Sequence, residues 1–304
     1  MTMFSVWPSP ERPWPELRRL AEFVDDGSWH CLWYADHFMP NTPDGSVADG
    51  DVHEVWSMIA ALGAVTTRIR LGSLVSPTTV RHPAVLANTA ATIDRISDGR
   101  LTLGIGAGWQ INEHHAYGIP LLDNKERVDR FEEAVHVIRG LLTNERTTFR
   151  GRHFSVHDAP CQPRPIQTRL PLLVGTGGPR MSRLTVETAD EWNTWGTPEV
   201  AAERIGVIDR ACERAGRDPR SLHRSVQALF FLTDDDEHAE KIRATAPADR
   251  SVIGNDDVVA EAIARYRDLG FDEVIFPDFT LGGDADRRLA SYERIRSRIL
   301  GRFR

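Results

Sequence analysis

A chain of 304 residues, 41% hydrophobic and 27% charged, is long enough for one large α/β domain and too apolar for a disordered protein. Its net charge of −7 without a basic stripe speaks against nucleic acid as a partner, and no run of about 18 apolar residues offers a membrane span. The opening MTMFSVWPSPERPWPE lacks the basic start and apolar core of a signal peptide, and Cys31, Cys161 and Cys212 are too far apart for zinc spacing or a disulfide framework, so a cytoplasmic setting is expected.

In chain order, Met3 to Val6 reads as a first strand, and Pro8, Pro10, Pro13 and Pro15 as a stiff loop. Leu17, Leu20, Ala21 and Val24 recur at helical spacing over Glu16 to Val24. Cys31 to Ala35 is a second strand, ending at Asp36-His37, and Asn41 to Asp51 is a long polar loop of the kind that is more often functional than decorative. Helix (Glu54 to Val65), strand (Ile69 to Val75), helix (Ala84 to Ile96) and strand (Leu101 to Ile105) follow. Lys125 to Leu142 is an amphipathic helix, and Thr147 to Val156 then breaks the rhythm as a hairpin with Arg-Gly-Arg at its tip. Strands at Leu170 to Val174, Glu191 to Thr194, Arg224 to Leu232 and Glu273 to Phe276 alternate with helices at Arg180 to Ala189, Glu199 to Ala215, Asp234 to Ala244 and Asp256 to Leu269.

Eight strands alternating with about as many helices predict parallel strands with right-handed crossovers. A single α/β domain over 1–304, a (β/α)8 TIM barrel, fits better than an open doubly wound sheet. Function then belongs at the C-terminal strand ends, and the polar clusters fall there: Asp36-His37, Leu74-Val75-Ser76, Gly106 to Glu113, Gly175 to Arg180, Trp192 to Thr194 and Phe276 to Asp278.

The stretch Arg100 to Gly118 is the most telling. Gly104, Gly106 and Gly108 end a buried strand at every second position, which makes sense where backbone passes close to something flat such as a cofactor ring. Ala107, Trp109, Gln110, Asn112, Glu113, His114 and His115 complete the rim. Asp36-His37 can hold a tautomer or move a proton, or simply cap a loop. His114 and His115 on a helix would point about 100° apart, and no H-x-H or H-E-x-x-H spacing exists, so no metal site is expected. Gly175, Thr176, Gly177, Gly178 and Pro179 lie between a strand and a helix, where exposed amides can seat a phosphate, although the pattern is not Walker A. No G-x-S-x-G elbow supports a serine hydrolase.

Read together, W-Y-A-D-H-F (Trp33 to Phe38), R-I-R-L-G-S-L-V-S-P (Arg68 to Pro77), R-H-P-A (Arg81 to Ala84), D-R-I-S-D-G-R-L-T-L-G-I-G-A-G-W (Asp94 to Trp109), N-E-x-x-A-Y-G (Asn112 to Gly118), the F-x-G-x-x-F hairpin (Phe149 to Phe154) and A-D-E-W-N (Ala189 to Asn193) resemble the luciferase-like monooxygenase superfamily, in particular its coenzyme F420-dependent branch. The resemblance implies a TIM-like barrel with an insertion, the hairpin region at about 145–169, after the fourth βα unit. It implies a flavin or deazaflavin on the C-terminal rim, with Asp36 and His37 facing the ring system. Leu74 and Val75 match a strand-three bulge that often carries a cis peptide and backs the ring; Gly106, Ala107, Trp109 and Asn112 line the ring. Gly175 to Pro179 match the segment that holds the phosphate end. Trp109 stands where one dehydrogenase subgroup has a carboxylic acid. A homodimer paired through the first barrel helices is implied.

The expectation is an oxidoreductase that transfers a hydride between coenzyme F420 and a small organic substrate, with His37 the proton relay and Asp36 a second polar ring partner. The alternatives are an FMN-dependent monooxygenase served by a separate flavin reductase, and a non-catalytic flavin-binding barrel.

Overall fold

The computed structural model describes residues 2–175 and 178–303. Its chain forms two compact units, one comprising residues 1–9, 14–33 and 176–304, the other residues 10–13 and 34–175. Each is built from parallel strands with buried side chains, as a sheet covered by helices requires.

The first unit opens with β1 (Met3–Trp7), α1 (Trp14–Val24) and most of β2 (Cys31–Tyr34). α1 buries Leu17, Leu20, Ala21 and Val24, the stripe read from the sequence. The second unit contains α2 (Val55–Val65), β3 (Arg70–Ser73), the two-residue β4 (Ser76–Pro77), α3 (Pro83–Ile96), β5 (Leu101–Gly106), α4 (Ile111–Ala116), α5 (Asn124–Thr143), the hairpin of β6 (Thr147–Arg150) with β7 (Ser155–Ala159), and β8 (Leu172–Gly175). Caps fix the helix starts: Glu54 accepts from Ser57 N at α2, His82 from Ala84 N with Pro83 following at α3, and Asp123 from Glu126 N at α5. β5 is the spine of this unit, paired in parallel with β3, β4 and β8. At the N-terminal side of β3 and β5, Arg100 donates to the carbonyls of Gly63, Thr66, Ile69 and Ser97.

The chain returns to the first unit with α6 (Pro179–Thr188), β9 (Glu191–Trp195), α7 (Pro198–Ala215), β10 (His223–Gln227), β11 (Leu229–Leu232), α8 (Asp236–Arg243), β12 (Ser251–Gly254), α9 (Asp256–Asp268), β13 (Glu273–Pro277) and α10 (Ala285–Arg294). β1 pairs in parallel with β2 and β13, β13 with β10, and β10 with β9. With β3 and β4 counted as two halves of one interrupted strand, the eight parallel strands and their helices make the expected (β/α)8 barrel class. The β6–β7 hairpin, the expected insertion, is antiparallel. No described helix is long and apolar enough to cross a membrane.

Three details differ from the sequence reading. The run Arg224 to Leu232 is two strands, because at Ala228 the chain exchanges the β9 and β13 pairing of β10 for pairing of β11 with β12. β12 itself was not foreseen; it is four residues long and set among charged ones. α10 was also missed, since it buries only Arg288 and Tyr292 and shows no apolar stripe.

Candidate active site

The strand ends of the second unit carry the residues that the sequence singles out. β3 stops at Ser73, the Leu74–Val75 peptide is cis, and Leu74 N donates to Tyr34 O at 2.7 Å. Glycines on the neighbouring strands make room for this bulge. A Cβ on Gly104 would lie 1.9 Å from Ser73 O, one on Gly106 2.8 Å from Val75 Cγ2, and one on Gly175 3.5 Å from the Val75 methyls. The alternating glycines of β5 therefore answer first to the bulge, where the sequence reading gave them to a cofactor ring. They leave the isopropyl group of Val75, which is only partly buried, as an apolar floor flanked by bare backbone. Gly108, at φ +89°, turns the chain away over Thr79, and Ala107 beside it is half-buried.

The segment after β2 is held by the start of α4. Gln110 Nε2 donates to Met39 O (3.0 Å), Asn112 Nδ2 to Pro40 O (2.8 Å), and Phe38 N to Glu113 Oε2 (2.9 Å). Asn112 Oδ1 also accepts from Glu113 N, so this buried amide, expected at the ring edge, has both ends engaged by protein backbone. Glu113 is buried, and its second oxygen, Oε1, meets His37 Nδ1 at 3.0 Å. A carboxylate there favours the tautomer with the proton on Nδ1 and leaves Nε2 as a basic lone pair. His37 is partly exposed, Nε2 has no protein partner among the described residues, and the ring of Trp109 stands edge-on to it at 5.5 Å. Trp109 itself is 58% exposed.

Asp36 turns inward. It is buried and paired with Arg81, which also reaches Glu54 Oε1 at 2.5 Å. Burial drives the Asp36 carboxyl above its ordinary range, and the guanidinium offsets only part of that. The adjacent histidines separate as helical geometry demands: His114 is buried between Gln110 O (2.6 Å) and Thr79 Oγ1 (2.7 Å), and His115 is exposed.

Thr176 and Gly177 lie outside the described residues. Gly178 caps α6 without a side-chain hydrogen bond, a Cβ there would meet nothing within 4 Å, and Pro179 takes the first helical position. The strand ends of the first unit carry an aromatic cluster, Trp7 with Trp195 and with Phe279, each pair at 5.3 Å.

The sequence singles out His37, Asp36 and Trp109 but not the partners that hold His37 and Asp36. Glu113 was visible only as one member of a polar cluster, and Arg81 only as part of a matching motif; neither spacing announces a contact across 76 or 45 residues.

The model of the luciferase-like monooxygenase family matches residues 1–248. An F420-dependent glucose-6-phosphate dehydrogenase of Microbacterium testaceum is 30% identical, over 95% of this chain and 94% of that protein. The coenzyme F420-dependent tetrahydromethanopterin reductase of Methanopyrus kandleri shares the fold at a TM-score of 0.82 and 18% identity, covering 100% of this chain and 99% of that one. A monooxygenase from Streptomyces bottropensis does so at 0.81 and 21%, covering 100% of both chains. The chain belongs to the luciferase-like monooxygenase family.

Proposed function

We propose that the protein is an oxidoreductase that uses coenzyme F420 to move a hydride to or from a small organic substrate, with His37 as the proton relay. The single observation that carries the site is the Val75 floor: a partly buried apolar side chain bordered by glycines of two neighbouring strands. A side chain at Gly106 would intrude on that floor, so the fit to a flat ring system is one of shape. The similarity to F420-dependent dehydrogenases supports the choice of cofactor.

When bound, the deazaflavin supplies the hydride chemistry; this chain's residues do the rest. Val75 would back the ring, with Leu74, Gly106 and Ala107 as its other holding residues. Gly175, at the end of the strand that borders this floor, leads to the phosphate-bearing tail. Glu113 aims the imidazole of His37, and Nε2 takes the hydroxyl proton of a substrate being oxidised or returns it to a carbonyl being reduced. Trp109 stands edge-on beside that imidazole as an apolar wall. Asp36 stays with Arg81 and anchors the segment that bears His37.

The family name and the Streptomyces likeness favour a second reading, an FMN-dependent monooxygenase. Titration with oxidised coenzyme F420 and with FMN, followed by tryptophan fluorescence, tests the two. Tight binding of coenzyme F420 alone is expected. Preference for FMN, with oxygen uptake when reduced FMN is supplied, would replace the proposal by the second reading. Binding of neither would remove both.

A further inference from the structure

Trp109, whose ring borders His37, is apolar and faces solvent, and further exposed apolar residues lie on the two segments that meet there. Trp109 and Ile111, which flank the cap of α4, are 58% and 62% exposed, and Val47 in the loop after β2 is 60% exposed. Ile111 lies 3.6 Å from the Cβ position of Gly45 in that same loop. Tyr117, at the end of α4, is also exposed and packs on Phe38 with ring centres 5.2 Å apart. Large exposed apolar side chains on two segments joined through His37 and Phe38, on a chain that is 27% charged, mark a binding surface.

Three arginines described beside these segments are already engaged. Arg81 is paired with Asp36 and Glu54. Arg127 donates to Gly108 O and Asn124. Arg130 donates to Thr79 O and lies over the Phe154 ring. A phosphorylated substrate would need several such groups free and convergent.

Resting on the oxidoreductase reading above, we infer that the substrate is an uncharged, largely apolar molecule with one reacting hydroxyl or carbonyl, seated on Trp109, Ile111 and Val47. In the oxidising direction its carbinol carbon gives up a hydride to the deazaflavin, its hydroxyl proton passes to His37 Nε2, and the C–O bond becomes a carbonyl. The chemistry selects against hexose phosphates, which the Microbacterium relative is named for.

The test has two separate readouts on the full chain. The first is the coenzyme F420 affinity of the wild type, which judges the oxidoreductase reading alone. The second is calorimetry of the cofactor-loaded protein with cyclohexanol and with glucose 6-phosphate. Cyclohexanol is expected to bind and glucose 6-phosphate not to. Ile111→Ser should weaken cyclohexanol about tenfold and isopropanol less than about twofold, since only the larger body reaches that side chain. Binding of glucose 6-phosphate, binding of neither ligand, or an equal effect of Ile111→Ser on both alcohols would overturn the inference while leaving the cofactor reading intact.

Discussion

The imidazole of His223 meets the carboxylate of Glu273 at 3.0 Å, at the N-terminal ends of β10 and β13, and both groups are largely shut off from water. Trp33 Nε1 donates to the other carboxylate oxygen at 2.8 Å. The N-terminal side of such a barrel is where stability rather than chemistry is built in.

The first prediction follows from this pair. Burial alone would raise the Glu273 carboxyl, but the hydrogen bond and charge of His223 outweigh it and hold the group down at about 2, against an ordinary 4.5. Burial would likewise lower His223, and Glu273 outweighs it, so the imidazole is raised above its ordinary 6.5. A depressed carboxyl gives stability that is lost as pH falls below about 4.5 toward 2, and a raised imidazole gives stability that is lost as pH climbs past about 6.5. Urea unfolding should therefore show a plateau between these limits and a decline on both sides. Glu273→Gln should cost about 3–5 kcal/mol at pH 6 and flatten the profile.

The second concerns the orientation of His37. His37→Ala should lower kcat by about 10²–10⁴. Glu113→Gln, which keeps the shape and removes the charge, should lower kcat by about tenfold to a hundredfold and leave the cofactor affinity within about twofold. Equal loss in kcat and cofactor affinity would mean that Glu113 only holds the fold.

Glycine substitutions separate folding from binding. Gly104→Ala drives a methyl group against the Ser73 carbonyl and should cost more than about 4 kcal/mol, seen as loss of soluble protein. Gly106→Ala meets only the end of a valine side chain; the protein should fold with a modest loss of stability and bind the cofactor about tenfold more weakly. Gly178→Ala, with open space around it, should fold like the wild type. Thermal unfolding and fluorescence titration of the three variants check the order.

The insertion offers a fourth. Glu133 accepts from the backbone N–H groups of Arg152, His153 and Phe154 at 2.8–3.0 Å, and these bonds hold its carboxyl below the usual range against the opposing effect of burial. Glu133→Ala should loosen the tip of the β6–β7 hairpin and speed tryptic cleavage at Arg150 or Arg152 about tenfold, with global stability little changed. Acidification should loosen the same tip in the wild type, read as faster backbone amide exchange at Arg152 to Phe154, since the hairpin's acceptor is weakened as the carboxyl is protonated.

What could be read from the sequence follows from the range over which each force acts. Strand and helix order was legible because apolar spacing and turn residues are local: α1, α3 and the β6–β7 hairpin stand close to where they were placed. The rim was legible because glycines, Trp109 and His37 are unusual at strand ends. The partnership of His37 with Glu113 was not, because a hydrogen bond across 76 residues leaves no mark in spacing. Gly104 illustrates a different gap. Its need for a bare backbone was visible, and the cause, a carbonyl from β3, required three dimensions. The exchange of sheet partners at Ala228 was hidden for a similar reason, since an apolar run looks the same whichever strand it pairs with.

Glu113 holds the imidazole of His37 with one oxygen and the amide of Phe38 with the other. The aim of the ring is thus mechanically geared to the course of the loop that leaves β2. Anyone transplanting that loop between relatives to alter selectivity would have to move 36–51 together with 109–117 as one cassette, because exchanging either half alone would leave the imidazole pointing elsewhere in a protein that otherwise folds.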